Sequence, residues 1–548
     1  MTAATISAPA RAATGGGTLA GTGTLLRFNL RRDRIRLPIW VLALSFIMAT
    51  APSTYVGLYP TAEDRATQGE VIAGNPAMKA MTGPGFGIDN YTYGAMMANE
   101  YLGFILIFVG LMTAFIVVRH TRTEEETGRA ELIRANAVGR HAHLAAALLA
   151  AAIASVALGL IVALGMGASG VETVDWPGSL LFGATFTVTG LIFAGVAAIT
   201  AQVFPFGRAA SGLAGVAIGL AYTLRALGDT ADNGLSWLSP IGWMQQTRVY
   251  VDNLWWPVLL GLAAAGVLMI VAFTLTDRRD LGSGLRAERT GAAAGSARLG
   301  TAGGFAWRLH RASVIWWAIV MFLLGATYGS ATDIMDSYAD NEMIQQMMEA
   351  IGGGSLAESW MSMICAIVAV VATIFSVIAA LRARREETDG RAEAVLATGL
   401  SRTRWLGSHV AVAMAGGLLM LLASGLGLGL GATSSTGDPG WFGDLLAAQL
   451  AYAPAMWATA ALAVAVFGLV PRANWLSWTL LGWSVLVTYF GGLLQLPQWL
   501  LNVSPYQHIP RMPAAEFTAP PLVALTLGAA ILIAAGVAGF RRRDLEAT

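Results

Sequence analysis

The feature that leaves this chain the fewest options is its series of long apolar segments. A helix needs about 20 mostly apolar residues to cross a bilayer. Twelve segments meet that requirement: 37–58, 99–119, 143–166, 179–203, 207–227, 255–276, 311–330, 359–382, 406–432, 442–468, 473–496 and 520–540. Lipid offers backbone groups no partner, so a spanning segment must satisfy its own hydrogen bonds as a helix. A membrane β-barrel would show short alternating strands instead. The predicted fold is an all-α membrane protein of about twelve transmembrane helices. Composition agrees: 55% of the 548 residues are hydrophobic and 12% charged, against about 25% charged in a soluble domain. A net charge of +1 gives no general attraction for nucleic acid, and the lone Cys365 excludes an internal disulfide and a cysteine-based metal site. Residues 1–23 are small and polar, without the basic start and apolar core of a signal peptide, and are expected to be a disordered tail.

The arginines fall between alternate spans. They stand before the first (27–36), between the second and third (119–140), the sixth and seventh (278–289) and the eighth and ninth (382–404), and after the twelfth (541–543). The intervening loops are acidic. By the positive-inside rule the arginine side is cytoplasmic, so both termini are expected there, in a cell-membrane protein of many spans. Two long loops, 59–98 and 331–358, fall on the outer side, each with a glycine cluster before the next span. The stretch DIMDSYADNEMIQQMMEAI within the second has the pattern of a short amphipathic helix on the outer surface.

Polar landmarks recur in order. Phe204-Pro205 with Arg208 ends the fourth span, and Val470-Pro471 with Arg472 ends the tenth. Ser239-Pro240 precedes the sixth span, and Ser504-Pro505 the twelfth. Two fused six-helix repeats, a pseudo-dimer about an axis along the membrane normal, account for this. The expected division is a first half over 24–276, a Gly/Ala/Ser/Arg linker over 277–304, a second half over 305–540 and a tail over 541–548.

One charged phrase also occurs twice at the same topological place. EEETGRAELIRANAVGR occupies 124–140 and REETDGRAEAVLATGLSR occupies 385–402. Acidic residues suit the first turn of a helix, and Glu131 with Arg134 has pairing spacing. A single copy needs no more than that. Two copies under a two-fold bundle present an exposed, acidic docking surface for a two-fold cytoplasmic partner. If so, reversing the charges should leave stability unchanged.

The phrase resembles the coupling helix of type-2 ABC exporter permeases. The match covers Glu125, Glu126, Gly128, Glu131 and Arg140, preceded by Glu124, and again Glu386, Glu387, Gly390, Glu393 and Arg402. In this alignment the second copy departs by one inserted residue, Asp389. The coupling segments would be 120–142 and 383–405. The fused layout is similar to the actinobacterial polyketide-antibiotic, tetronasin-class multidrug exporter permeases. The resemblance implies the permease of an ATP-driven exporter of hydrophobic drugs or antibiotics. Two copies of a separate ABC ATPase would bind on the cytosolic side and hold ATP and Mg. Residues 24–36 would form a connecting helix, with a weaker counterpart near 305–311.

This chain holds no P-loop of its own, and Lys79 is its only lysine. It is therefore expected not to be an enzyme by itself and to bind no cofactor. His141 and His143 lack further metal-ligand partners in sequence. Ionisable residues within spans are functional candidates. Glu100 and Glu358, opening the second and eighth spans as repeat mates, would line an outer gate, while Arg225 lies near an outer end where it can snorkel. The resemblance places a substrate cavity among the second, fifth, eighth and eleventh spans. Apolar and adaptable candidates there are Phe104, Phe108, Met112 and Tyr222, then Trp360, Met361, Met363, Trp483, Tyr489 and Phe490. The Gly/Leu alternation over 425–431 reads as close helix packing. Alternatives are an ion-coupled multidrug transporter, which the scarcity of mid-membrane carboxylates weakens, and a membrane sensor without transport. Substrate identity is not legible.

Overall fold

The computed structural model describes residues 17–74, 76–135, 138–280, 282–286, 294–332, 355–490 and 497–545. There is no strand among them. The backbone divides into two units, Met1–Thr290 and Gly291–Thr548.

The first unit opens with α1 (Thr22–Arg32) and α2 (Arg36–Leu58), then two shorter helices, α3 (Ala62–Gly74) and α4 (Pro76–Thr82). α5 (Tyr93–Arg119) leads into two short helices, α6 (Arg122–Glu126) and α7 (Arg129–Arg134). α8 (Ala142–Gly167), α9 (Trp176–Val203), α10 (Gly207–Thr230), the short α11 (Pro240–Gln245) and α12 (Trp256–Asp277) complete it. The second unit contains α13 (Ala302–Gly329), α14 (Leu356–Ala380), the short pair α15 (Arg382–Thr388) and α16 (Arg391–Leu396), and α17 (Arg402–Thr436). It continues with α18 (Gly440–Ala451), α19 (Ala453–Leu469), α20 (Trp475–Phe490), α21 (Gln498–Leu501) and α22 (Ala519–Arg542).

Among the described residues, 11 helical segments are long and apolar enough to cross a membrane, with Gly440–Leu469 counting as one. The segment predicted over 473–496 is the sixteen-residue α20; residues 491–496 lie outside the described set, as does the amphipathic stretch within 333–354. The segment predicted over 442–468 is two helices, α18 and α19, meeting at Tyr452. The expected connecting helix near 305–311 is not separate, because α13 runs unbroken from Ala302. The linker is partly fixed: Leu285 and Arg286 donate backbone N–H bonds to Gln202 and Val203 at the end of α9, at 3.0 Å each.

Local chemistry sets the helix ends. Thr92, Asp175, Thr301 and Ser401 precede α5, α9, α13 and α17, and each side chain accepts an N–H from the first turn. Phe204 and Val470 each precede a proline, which pushes them out of helical geometry and stops α9 and α19.

In the first unit α9 is the central helix, packed on α5, α8, α10 and α12. Its Phe182, Phe186 and Phe193 are fully buried. In the second unit the alternation over 425–431 makes two interleaved faces on α17. Gly427 and Gly431 lie against the Phe322 and Ala326 carbonyls of α13, while Gly425 and Gly429 lie against Leu446 and Phe442 of α18. Small residues four apart let backbones approach closely, and here a repeat of two serves two neighbours at once.

A side chain at Gly427 would collide with the α13 backbone, whereas Gly215 of α10 has open space around its Cβ position. Gly427→Val is expected to lower stability by about 1–3 kcal/mol. Gly215→Ala should be neutral or stabilising by up to about 1 kcal/mol. Thermal unfolding of the two variants in detergent checks the contrast.

Candidate functional site

Each repeated charged phrase folds as a helix, a glycine turn and a second helix. α6 stops at Gly128 (φ 72°) and α15 stops at Gly390 (φ 71°). A Cβ at either glycine would meet nothing within 4 Å. Glycine is required there by the left-handed backbone and not by crowding.

Glu124 and Glu125 in the first unit and Glu386 and Glu387 in the second point inward, while Glu126 and Asp389 are exposed. Glu125 receives two hydrogen bonds from Arg279, just beyond α12, at 2.6 and 2.7 Å, and one from Arg122 at 2.9 Å. Both side chains of the Glu125–Arg279 pair are buried. In the second unit Glu387 receives two from Arg543, just beyond α22, at 2.6 and 2.7 Å. Arg140 donates to the carbonyls of Thr276 (3.3 Å) and Asp277 (2.8 Å) at the end of α12. Arg402 likewise donates to those of Phe540 (3.5 Å) and Arg543 (2.5 Å) at the end of α22. A cation at a helix C-terminus is favoured by the helix dipole. In each unit the charged segment is thus clamped, by one carboxylate and one arginine, to the end of the unit's last long helix.

This geometry corrects the register. The same offset separates Gly128 from Gly390, Glu125 from Glu387 and Arg140 from Arg402, so Asp389 replaces Thr127 and is not an insertion. It also corrects the role of the acidic run. Glu124 is buried, paired with Arg32 and 3.9 Å from Arg129. Glu386 is buried, hydrogen-bonded by Arg391 at 2.8 and 3.3 Å. The Glu386 bond, with Asp389 beside it, holds the Arg391 guanidinium above its ordinary pKa. Glu126 accepts the N–H of Gly207 at the start of α10, at 2.9 Å. Besides Glu126, Arg385 and Asp389, the exposed surface is formed by the second short helices: Arg129, Glu131 and Leu132 of α7, and Arg391, Glu393 and Ala394 of α16. Within 24–36 the chain forms α1 and a turn. Asp33 in that turn is buried against His120 (2.5 Å) and Arg119 (3.2 Å). The strip before α1 is tied to the strip after α7 by Gly139 and His141 N–H bonds to Ala20 and Thr18, at 2.9 Å each.

The predicted pathway residues separate into groups. Phe104 is exposed and packs edge-on against half-buried Phe108, with ring centroids 5.2 Å apart. Trp360 and Met363 are half-buried, as is Trp483, which donates to the Leu500 carbonyl at 3.2 Å. Met112 and Met361 are fully buried in the cores of their units and do not line a surface. Tyr222 is a fastening: its hydroxyl reaches the carbonyls of Ala80 (3.5 Å) and Met81 (3.4 Å) at the end of α4. Arg225 beside it does not snorkel. It is fully buried, 3.5 Å from Asp229, stacked 4.4 Å from the Tyr222 ring, and donates to Met81 at 3.3 Å. The side chains of Tyr489 and Phe490 lie outside the described residues.

The two carboxylates expected at an outer gate are not structural mates. Glu358 caps α14 through reciprocal bonds with Ser355, at 2.6 and 3.2 Å. Glu100 accepts from Tyr55 (2.5 Å), Gln68 (3.2 Å) and Tyr91 (3.4 Å). By the register above, Ser362 stands where Glu100 does; its hydroxyl donates to the Arg511 carbonyl at 2.9 Å.

Comparison with known proteins decides the family. The family model for the C-terminal domain of multidrug efflux system permease Rv1217c matches residues 24–275 and 299–541. Multidrug efflux system permease protein Rv1217c of Mycobacterium tuberculosis is 40% identical over 535 residues, 97% of this chain and 96% of that protein. The chain belongs to the Rv1217c multidrug efflux permease family.

Sequence reasoning missed the arginine half of each clamp in this permease. A signal was present: Arg278-Arg279-Asp280-Leu281 and Arg542-Arg543-Asp544-Leu545 repeat one tetrapeptide after corresponding helices. The burial pattern predicts a sharp division among the permease's carboxylates. Glu125→Arg or Glu387→Arg puts two cations together in a buried site and should cost about 3–5 kcal/mol. The exposed pair Glu131→Arg with Glu393→Arg should change stability by less than about 0.5 kcal/mol. Melting midpoints of the purified variants distinguish the two classes.

Proposed function

We propose that this permease is the transmembrane subunit of an ATP-driven exporter that moves hydrophobic drugs or antibiotics out of the cell. In this reading the chain is a pseudo-dimer of six-helix halves, similar to the tetronasin class. Two copies of a separate ABC ATPase, which hold the ATP and Mg, dock on the exposed faces of α7 and α16. The arginine-rich end is cytoplasmic, as the positive-inside rule implies, and both termini lie there. The observation that carries the reading is the duplicated helix–glycine–helix. It presents charged, exposed second helices at one place in each unit, while its first helices are bound to the end of the last span.

The mechanism follows from those attachments. A push on α7 or α16 passes through Glu125–Arg279 or Glu387–Arg543 into the end of α12 or α22. It also passes through Arg32–Glu124 and Asp33–His120 into α1 and the head of α2. Movement of the ATPase is converted in this way into movement of first and last spans together. Substrates are held by apolar area, about 25 cal/mol per Å2 buried, against aromatic side chains such as Phe104 and Phe108. The M. tuberculosis relative, named a multidrug efflux system permease, supports drugs as the cargo.

The purified chain alone is expected to show no ATP hydrolysis above a contaminant-controlled blank and to acquire it with its partner ATPase. In that complex, joint Glu131→Arg and Glu393→Arg should lower both co-purification and drug resistance at unchanged expression. Hydrolysis by this chain alone, or unchanged assembly in the variant, contradicts the reading. For the pathway, Phe104→Ala should shift resistance several-fold for some drugs and not others in a panel at matched expression. A uniform effect, or none, removes α5 from the pathway.

A further inference from the structure

The first unit carries a basic surface that neither the clamps nor the docking helices use. One side of α1 is buried: Leu25 packs against Ala142 and Ala146 of α8, and Asn29 is also enclosed. The opposite side exposes Arg27, Phe28 and Arg31, and the turn into α2 exposes Arg34, Ile35 and Arg36. Phe28 is 52% and Ile35 is 65% exposed. Phe28 stands in α1 and Ile35 in the turn after it, so both exposed apolar side chains lie among the four arginines in sequence.

The charges in this stretch are segregated. The inward ones are paired locally, Arg32 with Glu124 and Asp33 with Arg119, and His120 is hydrogen-bonded to Asp33. Arg27, Arg31, Arg34 and Arg36 have no carboxylate partner among the described residues. The whole chain has a net charge of only +1, so any attraction for an anion here is local and not a general field. The location is also specific. α2 begins at Arg36 and is long and apolar enough to span a membrane, which puts the four guanidinium groups at the head of a span.

Two features select the occupant. Four unpaired arginines call for phosphate, which the guanidinium fork binds well. Two exposed apolar side chains among those arginines call for an apolar phase beside that phosphate. A phospholipid headgroup region supplies both in that order, and a helix with basic and aromatic residues on one face is suited to it. An acidic protein or nucleic acid would satisfy the arginines and leave Phe28 and Ile35 in water. We propose that α1 and the turn after it form a binding surface for anionic phospholipids, with the phosphates held by Arg27, Arg31, Arg34 and Arg36 and the acyl boundary receiving Phe28 and Ile35. Because α1 is tied to α6 through Arg32–Glu124, bound lipid steadies the charged segment as well.

The test uses the purified full-length chain in a neutral detergent, titrated with phosphatidylglycerol or with phosphatidylcholine. Retained lipid is counted by native mass spectrometry, and the melting midpoint is followed in parallel. Phosphatidylglycerol should be retained and stabilising, and phosphatidylcholine much less so. Each Arg→Gln change among the four should weaken retention by about fivefold, the equivalent of one surface arginine. The quadruple Arg→Lys variant should keep most of the binding. Phe28→Ser should weaken it without altering the salt dependence. Arg541→Gln with Arg542→Gln, exposed arginines after the last span, is the control and should retain the lipid. Equal retention of both lipids overturns the proposal, as does an equal loss in the control. Full displacement by inorganic phosphate together with an unaffected Phe28→Ser variant overturns it too, since the site would then bind a free anion.

Discussion

A buried carboxylate facing a guanidinium, buried at Arg279 and partly buried at Arg543, is the interaction on which the arginine-rich end of each unit depends. Removing either charge from water is costly, and the cost is met only when both are present and well hydrogen-bonded. Glu125 and Glu387 meet that condition with two bonds each from a single arginine. The pairing fixes where the short helices can lie. Once the first helix is held inward, the glycine at positive φ turns the second outward, and the exposed residues of α7 and α16 follow. Without Arg279 or Arg543, Glu125 and Glu387 would lose the two-bond partner that ties them to the end of the last long helix.

The membrane-spanning architecture was legible because it rests on a property carried by every residue in a span. Apolarity over about 20 positions is a local signal, and the helix stops at Pro205 and Pro471 are local too. The direction of the glutamates was not legible. Their partners lie 154 and 156 residues further along the chain, and nothing adjacent to an acidic run states whether it faces water or an arginine. Periodicity fails for the pathway candidates for a different reason. In lipid both faces of a helix are apolar, so Phe104 on a surface and Met112 in a core carry the same hydropathy. Their places near helix starts make Glu100 and Glu358 mates by sequence pattern; the register set by Gly128 and Gly390 separates them.

The units share the clamp and differ in sequence at the place of Arg225. In the first, Tyr222, Arg225 and Gln245 hold three successive carbonyls of α4, at Ala80, Met81 and Thr82. A cation at that helix end has the favourable sign for the dipole. The proline landmarks around Arg225, Pro205 with Pro471 and Pro240 with Pro505, put its counterpart at Phe490 or Gly491, so the sequence carries no arginine there.

The most direct test of the central claim is a double-mutant cycle across one clamp. Glu387→Gln, Arg543→Gln and the double variant are compared with the parent chain by reversible unfolding in detergent. If the pair holds the segment to the end of α22, each single change leaves a buried charge unmatched, and the double variant costs little more than either one. The predicted coupling lies within about 1–3 kcal/mol. Additive losses, with a coupling near zero, would show that Glu387 and Arg543 act independently and that the segment is held by something else.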